Sequence, residues 1–591
     1  ILPVVGDSGT AAIEGTNPLN FTPPVSGAIL GVDGVSGTSS VNTANIDMAN
    51  VAGGSNRIWF GNVIGFDRTY RGTLTNGASG DLRLTSGGNN LILDTNANIL
   101  GGAGAANNLI FGFDHQNAIG FTGNNIVQAS TGTVSVRVNN ASTLGTVTVN
   151  RGVTLNINGA GITTPVGTGV ITALGGTIST DNATDAKFGN TDFRLYGGST
   201  LLLDNSNVTV ANADRRLLNT TDINLTSSTL RLIGDGGAAT ASSQTVNSID
   251  YNGGSTLSVD TDGTASRLTT LTTGALNRTD RGTLNIRNIA NTATTFGTSA
   301  GTQKLIVTSA PTVTSGMIGA NIALWGGANA NDGTQPLFAT YDATHGVQAA
   351  TFTHTAFAGT TTASIVDLNG AAVTAGTQSV QALRFRSTAN TQTLTGGSLT
   401  LGAAAGAGQG AGLFLVHTSD NEVTHTTPIT FATGQEGLIY TSTTGGSSIV
   451  RLNGNITGTN GLTTFGDGAL RLGGTNNFGG PLTINAGQVR LASVAAAGPV
   501  TGTPTEINIW GGALYSGTSQ RFNNNVNFYN DARFGNDNVA STMFNNMTVQ
   551  PRVGSTAPVV VWVQNTAGGN FTTVNGVLNL AGAAQFSVVH P

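Results

Sequence analysis

The sequence of 591 residues contains no cysteine, only two lysines (Lys187 and Lys304) and four glutamates. Charged residues make up 9% of it, against about 25% in an average soluble protein. The absence of cysteine excludes disulfide bonds and thiol chemistry. Because lysine and glutamate normally cover the solvent face of helices, their scarcity argues against a helical protein.

Long apolar runs and dense basic clusters are lacking as well. No stretch of about 18 apolar residues occurs, so no membrane-spanning helix is predicted. The net charge is −5, and the longest basic run is Arg215-Arg216. This scatter predicts no basic patch, and therefore no nucleic-acid partner. The first residues, Ile1 to Val5, show neither an initiating methionine nor a basic lead-in, so we expect a processed protein or a fragment.

Glycine, threonine, serine and asparagine fill most of the remaining positions, with 85 glycines in all. Threonine suits the outward positions of strands, and asparagine and glycine suit tight turns. Hydrophobic residues are 38% of the chain and recur in alternating runs, which argues against disorder. Examples of these runs are 133–138, 153–157 and 228–232. The composition therefore predicts short β-strands joined by turns.

The pattern is tightest between Asn455 and Ala492. Three alternating apolar pairs lie there, namely Leu470 with Leu472, Leu482 with Ile484, and Val489 with Leu491. In an extended chain each pair places both side chains on one face. Glycine- and asparagine-rich turns separate the pairs, so about 20 residues return the chain to its starting edge, the size of one coil of a β-solenoid.

This same segment closely resembles the autotransporter-associated β-strand repeat, also called the passenger-associated transport repeat. The resemblance is carried by Asn476, Phe478-Gly479-Gly480, Leu482-Thr483-Ile484-Asn485-Ala486-Gly487 and Val489-Arg490-Leu491. A looser match covers 379–385 and 393–401. Such repeats occur in very long bacterial surface and secreted proteins. The resemblance implies a fold and an extracellular or cell-surface location, and it implies no reaction.

The predicted fold is all-β: an elongated parallel β-helix, or β-solenoid, of short three-strand coils, with inserted loops and essentially no α-helix. Four segments are predicted. They are a loop-rich leader (1–50), a solenoid (51–310), an irregular insertion or small β subdomain (311–376), and a second solenoid that contains the repeat match at 455–492 (377–591).

Motifs that carry chemistry are missing. No glycine-rich loop ends in lysine, no G-x-S-x-G occurs, and no pair of histidines has zinc spacing. The glycines at 406–408 begin a dinucleotide fingerprint that Ala411 breaks. Those at 101–104 begin a calcium-binding repeat that Ala106 breaks. The sequence therefore predicts no catalytic, cofactor-binding or metal site.

Three residue groups could still belong to a site. His417 and His425 with Asp420 and Glu422 form the densest titratable cluster, which we interpret as a solvated loop, with a metal or acid/base pair as the alternative. For Asp260 and Asp262, turn chemistry is favoured over the paired carboxylates of β-helical polysaccharide hydrolases. Buried positions are favoured over exposed sugar-stacking positions for the four tryptophans: Trp59, Trp325, Trp510 and Trp562.

A solenoid leaves an unpaired sheet edge at each end, which recruits another chain unless it is capped. The predicted function is therefore a structural or adhesive element on or outside a bacterial cell, assembling into a fibre by edge stacking, with no enzymatic activity. The predicted partner is a second copy of the chain, and a surface polysaccharide is a further candidate. The alternatives are a β-helical enzyme that degrades polysaccharide and a passive passenger domain of a longer autotransporter.

Overall fold

The structure is a computed structural model that describes most, but not all, of the chain. The described residues are 28–31, 40–43, 45–50, 58–62, 67–76, 80–95, 99–100, 108–113, 132–140, 145–182, 184–206, 216–234, 241–261, 268–289, 296–297, 303–325, 335–402, 410–443, 448–499, 504–519, 521–536, 541–551, 558–565, 571–574 and 576–589. Most of the predicted leader (1–50), Asp262, and the glycine runs at 101–104 and 406–408 lie outside them.

Strands form nearly all of the regular structure. Two 3-10 helices, Met48–Asn50 and Val494–Ala497, are the exceptions in the described ranges. Most strands pair in parallel with the strand one coil before and one coil after. The predicted all-β, parallel β-solenoid fold is thus confirmed. None of the helices found there is long and apolar enough to cross a membrane.

The chain divides into two compact units. Unit 1 comprises Ile1–Asp250 and Ser258–Ala275, and unit 2 comprises Tyr251–Leu257 and Leu276–Pro591. Three long strands contain residues of both units, namely β19 (Ser242–Asn252), β20 (Gly254–Asp260) and β21 (Thr269–Arg278). The predicted boundaries at 310 and 376 remain a prediction about how the chain is organised.

Unit 1 contributes two strands from each coil, one to each of two parallel sheets. Sheet A contains β1 (Ala28–Gly31), β4 (Ile58–Asn62), β7 (Leu82–Ser86), β9 (Leu109–Phe111), β11 (Val147–Asn150), β13 (Ile171–Leu174), β15 (Asp192–Tyr196) and β17 (Asp222–Thr226). Sheet B contains β2 (Ser40–Asn42), β5 (Arg68–Tyr70), β8 (Asn90–Leu93), β10 (Thr133–Val136), β12 (Thr154–Ile157), β14 (Thr177–Thr180), β16 (Thr200–Asp204) and β18 (Thr229–Ile233). The short strands β3 (Ile46–Asp47) and β6 (Leu74–Thr75) pair with each other.

The register of sheet B shows how strands with alternating apolar and polar residues stack their apolar side chains into a core. One column of inward residues is fully buried, and it consists of Val134, Leu155, Ile178, Leu201 and Leu230. The residues just before them form an outward, half-buried threonine column, which consists of Thr133, Thr154, Thr177, Thr200 and Thr229. Because side chains alternate with period two, a slip of one residue would place threonine in the core. The repeated Thr-Leu and Thr-Val pairs therefore fix the register.

Unit 2 begins with a region of mixed pairing, followed by coils of up to three strands. The first strands are β22 (Thr283–Arg287), β23 (Gln303–Val307), β24 (Ile322–Leu324), β25 (Leu337–Asp342) and β26 (Gly346–Ala349). Strands β24, β25 and β26 pair antiparallel, unlike the coils. Two further pairs are β28 (Val373–Thr374) with β31 (Leu394–Thr395), and β48 (Ser541–Phe544) with β51 (Phe571–Val574).

The coils of unit 2 build three parallel sheets. Sheet C contains β27 (Ile365–Asn369), β30 (Ala382–Ser387), β33 (Ala411–His417), β36 (Gly437–Thr443), β39 (Leu462–Gly466), β42 (Leu482–Ile484), β44 (Ile507–Ile509), β46 (Val526–Phe528), β49 (Met547–Val549) and β52 (Leu578–Leu580). Sheet D contains β34 (Glu422–His425), β37 (Ile449–Leu452), β40 (Ala469–Leu472), β43 (Gln488–Leu491), β45 (Ala513–Ser516), β47 (Ala532–Asn536), β50 (Val559–Asn565) and β53 (Ala584–Val589). Sheet E contains β29 (Thr377–Val380), β32 (Ser398–Leu401), β35 (Ile429–Phe431), β38 (Ile456–Gly458) and β41 (Asn477–Phe478).

Buried asparagines join successive coils. Asn476 is 1% exposed, accepts the N–H of Ile456 in the coil before (2.9 Å), and donates to the carbonyl of Ala496 in the coil after (2.8 Å). Asn140 in unit 1 does the same, with the N–H of Leu100 (3.0 Å) and the carbonyl of Pro165 (2.7 Å). A buried backbone group without a partner is costly, so these corners require an amide side chain. This explains the asparagine in the repeat-like segment.

Around β33, β36 and β39, sheet C is buried on both faces. Its inner face carries the solenoid core, and its outer face carries an aromatic row, Phe414, Tyr440 and Phe465, whose members are register neighbours. Ring centroids in this row lie 5.0 Å apart at each step. Residues from the predicted insertion cover the row, among them Phe338, 4.0 Å from Phe414 between ring centroids. Strand β33 is therefore buried at every position.

Candidate functional site

The residues of the predicted cluster around His417 lie in different places. His417 ends β33 of sheet C, whereas Glu422 and His425 lie on opposite faces of β34 in sheet D. His417 and His425 are 0% and 2% exposed, because both lie at strand ends with their rings turned into the core. Glu422 points outward and binds Arg451, with Oε1 2.6 Å from Nε. Asp420 is exposed in the turn. The interpretation as a solvated loop is therefore wrong for the histidines, and the four side chains do not converge.

Each histidine has a structural partner. The Nε2 atom of His417 lies 2.7 Å from the carbonyl oxygen of Asn421, which only accepts, so Nε2 carries the proton and donates. Its Nδ1 then accepts from the hydroxyl of Ser387 at 2.7 Å. The Nδ1 atom of His425 accepts the N–H of Leu394 at 3.0 Å. Among the described residues, no group of three or more His, Asp or Glu is arranged to hold a metal ion.

The burial of His425 makes the stability of the fold pH-dependent. Burial, assisted by the nearby His417, lowers the pKa of His425 from 6.5 to about 4. Between these values the unfolded chain binds a proton that the folded chain does not. The stabilisation that neutral His425 contributes should therefore be fully present above pH 6.5. As the pH falls to 4, the free energy of unfolding should decrease by about 3 kcal/mol.

Urea denaturation at pH 7.5, 5.5 and 4.0 measures this loss. The matched variant His425→Gln has no titratable ring, so its free energy of unfolding should vary less across the same window. Equal pH dependence in the wild type and the variant would contradict the assignment to His425.

Of the predicted carboxylate pair, Asp260 and Asp262, the structure describes Asp260, which has a structural role. Asp260 is fully buried in unit 1, where Oδ2 lies 2.5 Å from Nε of Arg231 and Oδ1 accepts from Ser258 at 2.8 Å. A buried carboxylate that is held in an ion pair is not available to exchange protons with a substrate. Asp262 lies outside the described residues, so the pairing of the two carboxylates stays a hypothesis.

The tryptophans are divided between core and surface. Trp59 in unit 1 is 3% exposed and donates to the carbonyl of Gly112 at 3.0 Å. Trp510 in unit 2 is 8% exposed and stacks on Tyr529, with ring centroids 4.4 Å apart. Burial is confirmed for these two. Trp325 is half-buried against the aromatic row of sheet C, and Trp562 is half-buried on the outer face of sheet D.

A buried ion triad lies on the outer face of sheet C. Asp367 accepts two hydrogen bonds from Arg384, at 2.9 and 2.8 Å, and two from Arg386, at 3.0 and 2.6 Å. Arg384 also donates to the carbonyl of Pro336 at 3.2 Å, and its guanidinium carbon lies 4.4 Å from the ring centroid of Phe352. The triad thus anchors the insertion to the coils.

The last coil carries the clearest surface feature of unit 2. Eight large apolar side chains are exposed among the described residues, and four of them lie in this coil: Val577, Leu578, Leu580 and Phe586, exposed by 66, 46, 54 and 39%. Strands β52 and β53 each pair with one described neighbour only. Apolar surface therefore coincides with the outermost described strands of sheets C and D, and exposed apolar surface at a strand edge is typical of a site that pairs with a further strand.

The exposed leucines continue columns that are buried elsewhere. Leu578 follows Val526 and Met547 in register, and Leu580 follows Phe528 and Val549. The preceding members of both columns are at most 4% exposed. In the described residues, β52 therefore exposes two columns that the preceding strands bury, and a further parallel strand would cover them.

Sheet D holds a feature that the sequence pattern concealed. Arg451, Arg471 and Arg490 are consecutive register neighbours on the outer face of the sheet. The prediction that no basic patch forms is wrong for this face, because strand pairing stacks residues that are about 20 positions apart in the chain. The signal was present in the repeated Leu-Arg-Leu and Val-Arg-Leu triplets of β37, β40 and β43.

Comparisons with protein-family models, with curated proteins and with solved structures find no match to this chain.

Proposed function

We propose that this chain is a structural, adhesive β-solenoid of a bacterial cell surface or extracellular matrix, and that it associates with further copies through the open edge of its last coil. The observation that carries the proposal is the exposure of Leu578 and Leu580 on β52, the outermost described strand of sheet C. The location rests on the resemblance of 455–492 to the repeat of bacterial surface proteins. The proposal assigns no catalysis to the chain.

Polar contacts between coils support stacking beyond one chain. The hydroxyls of Thr430 and Thr457 lie 2.9 Å apart, and the amide of Asn527 donates to that of Asn508 at 2.9 Å. Such ladders need only another strand in register to continue. With 9% charged residues, the chain also carries little charge to oppose close approach of identical coils.

The alternative of a β-helical polysaccharide-degrading enzyme requires acid and base groups that a substrate can reach. The candidates taken from the sequence do not offer this, because His417, His425 and Asp260 are buried and engaged. The alternative of a passive passenger domain differs from the proposal in one testable respect. A passive passenger would not associate through its last coil.

The test compares the 591-residue chain with the variant Leu580→Lys. A lysine on a strand edge opposes pairing with another chain, and this position is 54% exposed, so the fold should tolerate it. Sedimentation velocity across a concentration series should show growing assemblies for the wild type and a monomer for the variant.

Val313→Lys is the matched control, because Val313 is 42% exposed and lies outside the last coil. It should assemble like the wild type, and circular dichroism should show the same β content for all three proteins. A wild type that stays a monodisperse monomer at high concentration would overturn the proposal, and so would a Leu580→Lys variant that assembles normally.

A further inference from the structure

A row of arginines runs across the coils on the outer face of sheet D. Arg451, Arg471 and Arg490 occupy one register column, so adjacent members are separated by one strand spacing, about 4.8 Å. Their flanking residues point into the core and are buried, whereas the arginines are half-buried. The side chains of Arg451 and Arg471 are 28% and 24% exposed.

The column has an excess of positive charge. Glu422 is the acid on the described outer face of sheet D, and it binds Arg451 at 2.6 Å and Arg471 at 3.8 Å. The column itself continues with Tyr515 on the next strand. Two coils beyond Arg490, Arg533 is exposed on the same face but lies two residues to the side of the column. Within this column and its partner, three arginines and one glutamate leave a net charge of +2 on a chain whose total is −5. A local excess of this kind attracts a partner of opposite charge.

An aromatic side chain extends the same face. Trp562 is the register neighbour of Arg533 on the next strand of sheet D, and it is half-buried. A tryptophan whose ring is partly open on a flat sheet offers an apolar platform beside the charges. The face therefore combines a column of three guanidinium groups with an aromatic surface beside it, three coils beyond Arg490.

We infer that the outer face of sheet D binds an acidic polysaccharide, with carboxylate-bearing sugars laid across the coils along Arg451, Arg471 and Arg490. Arg533 and Trp562, beside the end of that column, would contact a further sugar unit. A guanidinium offers two parallel N–H donors that match a carboxylate. One arginine on each of three successive strands gives a regular row, which suits an extended polymer with one carboxylate on each unit.

The same row fits nucleic acid less well. Single-stranded nucleic acid is held by a series of aromatic platforms on which successive bases stack, and Trp562 is the one half-buried tryptophan described on this face. Duplex binders spread lysine and arginine over a broad surface. Here the positive charge is confined to a narrow column, so a polymer whose charges lie in one line is favoured.

This inference names a ligand class for the adhesive role in the proposed function. It rests on that role and does not depend on self-association. The arginines lie on the side of the coils, away from the exposed leucines of β52. Binding should therefore persist in the Leu580→Lys variant. Failure of self-association and failure of polysaccharide binding are consequently separate results.

The experiment measures binding of polygalacturonic acid by isothermal titration calorimetry in low salt, with neutral dextran and oligothymidylate as comparison polymers. The wild type should bind polygalacturonic acid, bind dextran at least about tenfold more weakly, and lose affinity as salt rises. Arg471→Gln and Arg490→Gln should each weaken binding about tenfold. Arg137→Gln, an exposed arginine of unit 1, should change the affinity less than about twofold.

Glu422→Gln provides a test in the opposite direction. Removing the carboxylate that competes for Arg451 and Arg471 should strengthen binding severalfold, an effect that general destabilisation would not produce. Unchanged binding in Arg471→Gln and Arg490→Gln variants that retain their circular dichroism would overturn the inference. Equal or tighter binding of oligothymidylate would overturn the assignment to polysaccharide.

Discussion

Replacing Arg216 with methionine is expected to lower the free energy of unfolding of unit 1 by about 4 kcal/mol. Arg216 is fully buried, and its guanidinium donates to five acceptors. These are the Asn205 side chain (2.6 Å) and the carbonyls of Thr184 (2.5 Å), Ala186 (2.9 Å), Asp181 (3.1 Å) and Asp204 (2.8 Å). Methionine fills part of the space but leaves every one of these acceptors without its donor.

Urea denaturation of the full chain, with hydrogen exchange to localise the loss to β14 and β16, measures the effect. Arg216→Lys should also be destabilised, because an ammonium has three donors and lacks the planar fork. Arg137→Met, at an exposed position, should stay within about 0.5 kcal/mol of the wild type. A loss below about 1 kcal/mol for Arg216→Met would contradict this role.

Replacing Asp367 with alanine is expected to destabilise unit 2 by about 4 kcal/mol. The substitution removes the carboxylate that Arg384 and Arg386 share, and Arg384 is 1% exposed. A buried guanidinium that loses its counterion is costly because water cannot replace the carboxylate. The loss should appear as faster hydrogen exchange in β27 and β30, together with a lower urea midpoint.

The double variant Asp367→Leu with Arg384→Met separates the ion pair from simple packing. Replacing Arg384 as well removes the penalty for its uncompensated charge, the more deeply buried of the two guanidinium groups that lose Asp367. We therefore expect the double variant to be more stable than Asp367→Leu alone, a non-additive result. If the two substitutions simply add, the triad is not an energetic unit.

Much of the fold was predictable because local alternation and turn residues are consistent over many coils. The pairs Leu470 with Leu472, and Val489 with Leu491, do line the core in adjacent strands of sheet D. Strand type, parallel pairing and coil length follow from such segments. The length of one coil varies, however, from 17 residues between Ile365 and Ala382 to 43 between Asn90 and Thr133. Loop insertions of this kind leave the core pattern unchanged.

The surface features were less predictable, because they depend on register between coils. Arg451, Arg471 and Arg490 are isolated charges in the sequence and become neighbours only when their strands pair. His425 and Glu422 are close in sequence, yet alternation turns one inward and the other outward. Aligning the Leu-Arg-Leu and Val-Arg-Leu triplets as neighbouring strands is the step that would predict the row of arginines from the sequence.

The sequence analysis also did not predict that the segment around Phe338 and Phe352 covers the outer face of sheet C. A solenoid sheet usually presents a polar outer face, but β33 and β36 carry Phe414 and Tyr440 there. The run Leu413-Phe414-Leu415-Val416 lacks alternation, which is the signature of a strand buried on both faces. This signal indicated a covering segment without identifying which part of the chain supplies it.

The central claim is that the last coil recruits another copy of the chain through its open strand edge. Cryo-electron microscopy of the concentrated 591-residue chain tests it most directly. We expect continuous β-stacking from one molecule into the next, beginning at β52 and β53, with Leu578 and Leu580 covered at the junction. Single particles whose last coil remains uncovered at every concentration would contradict it.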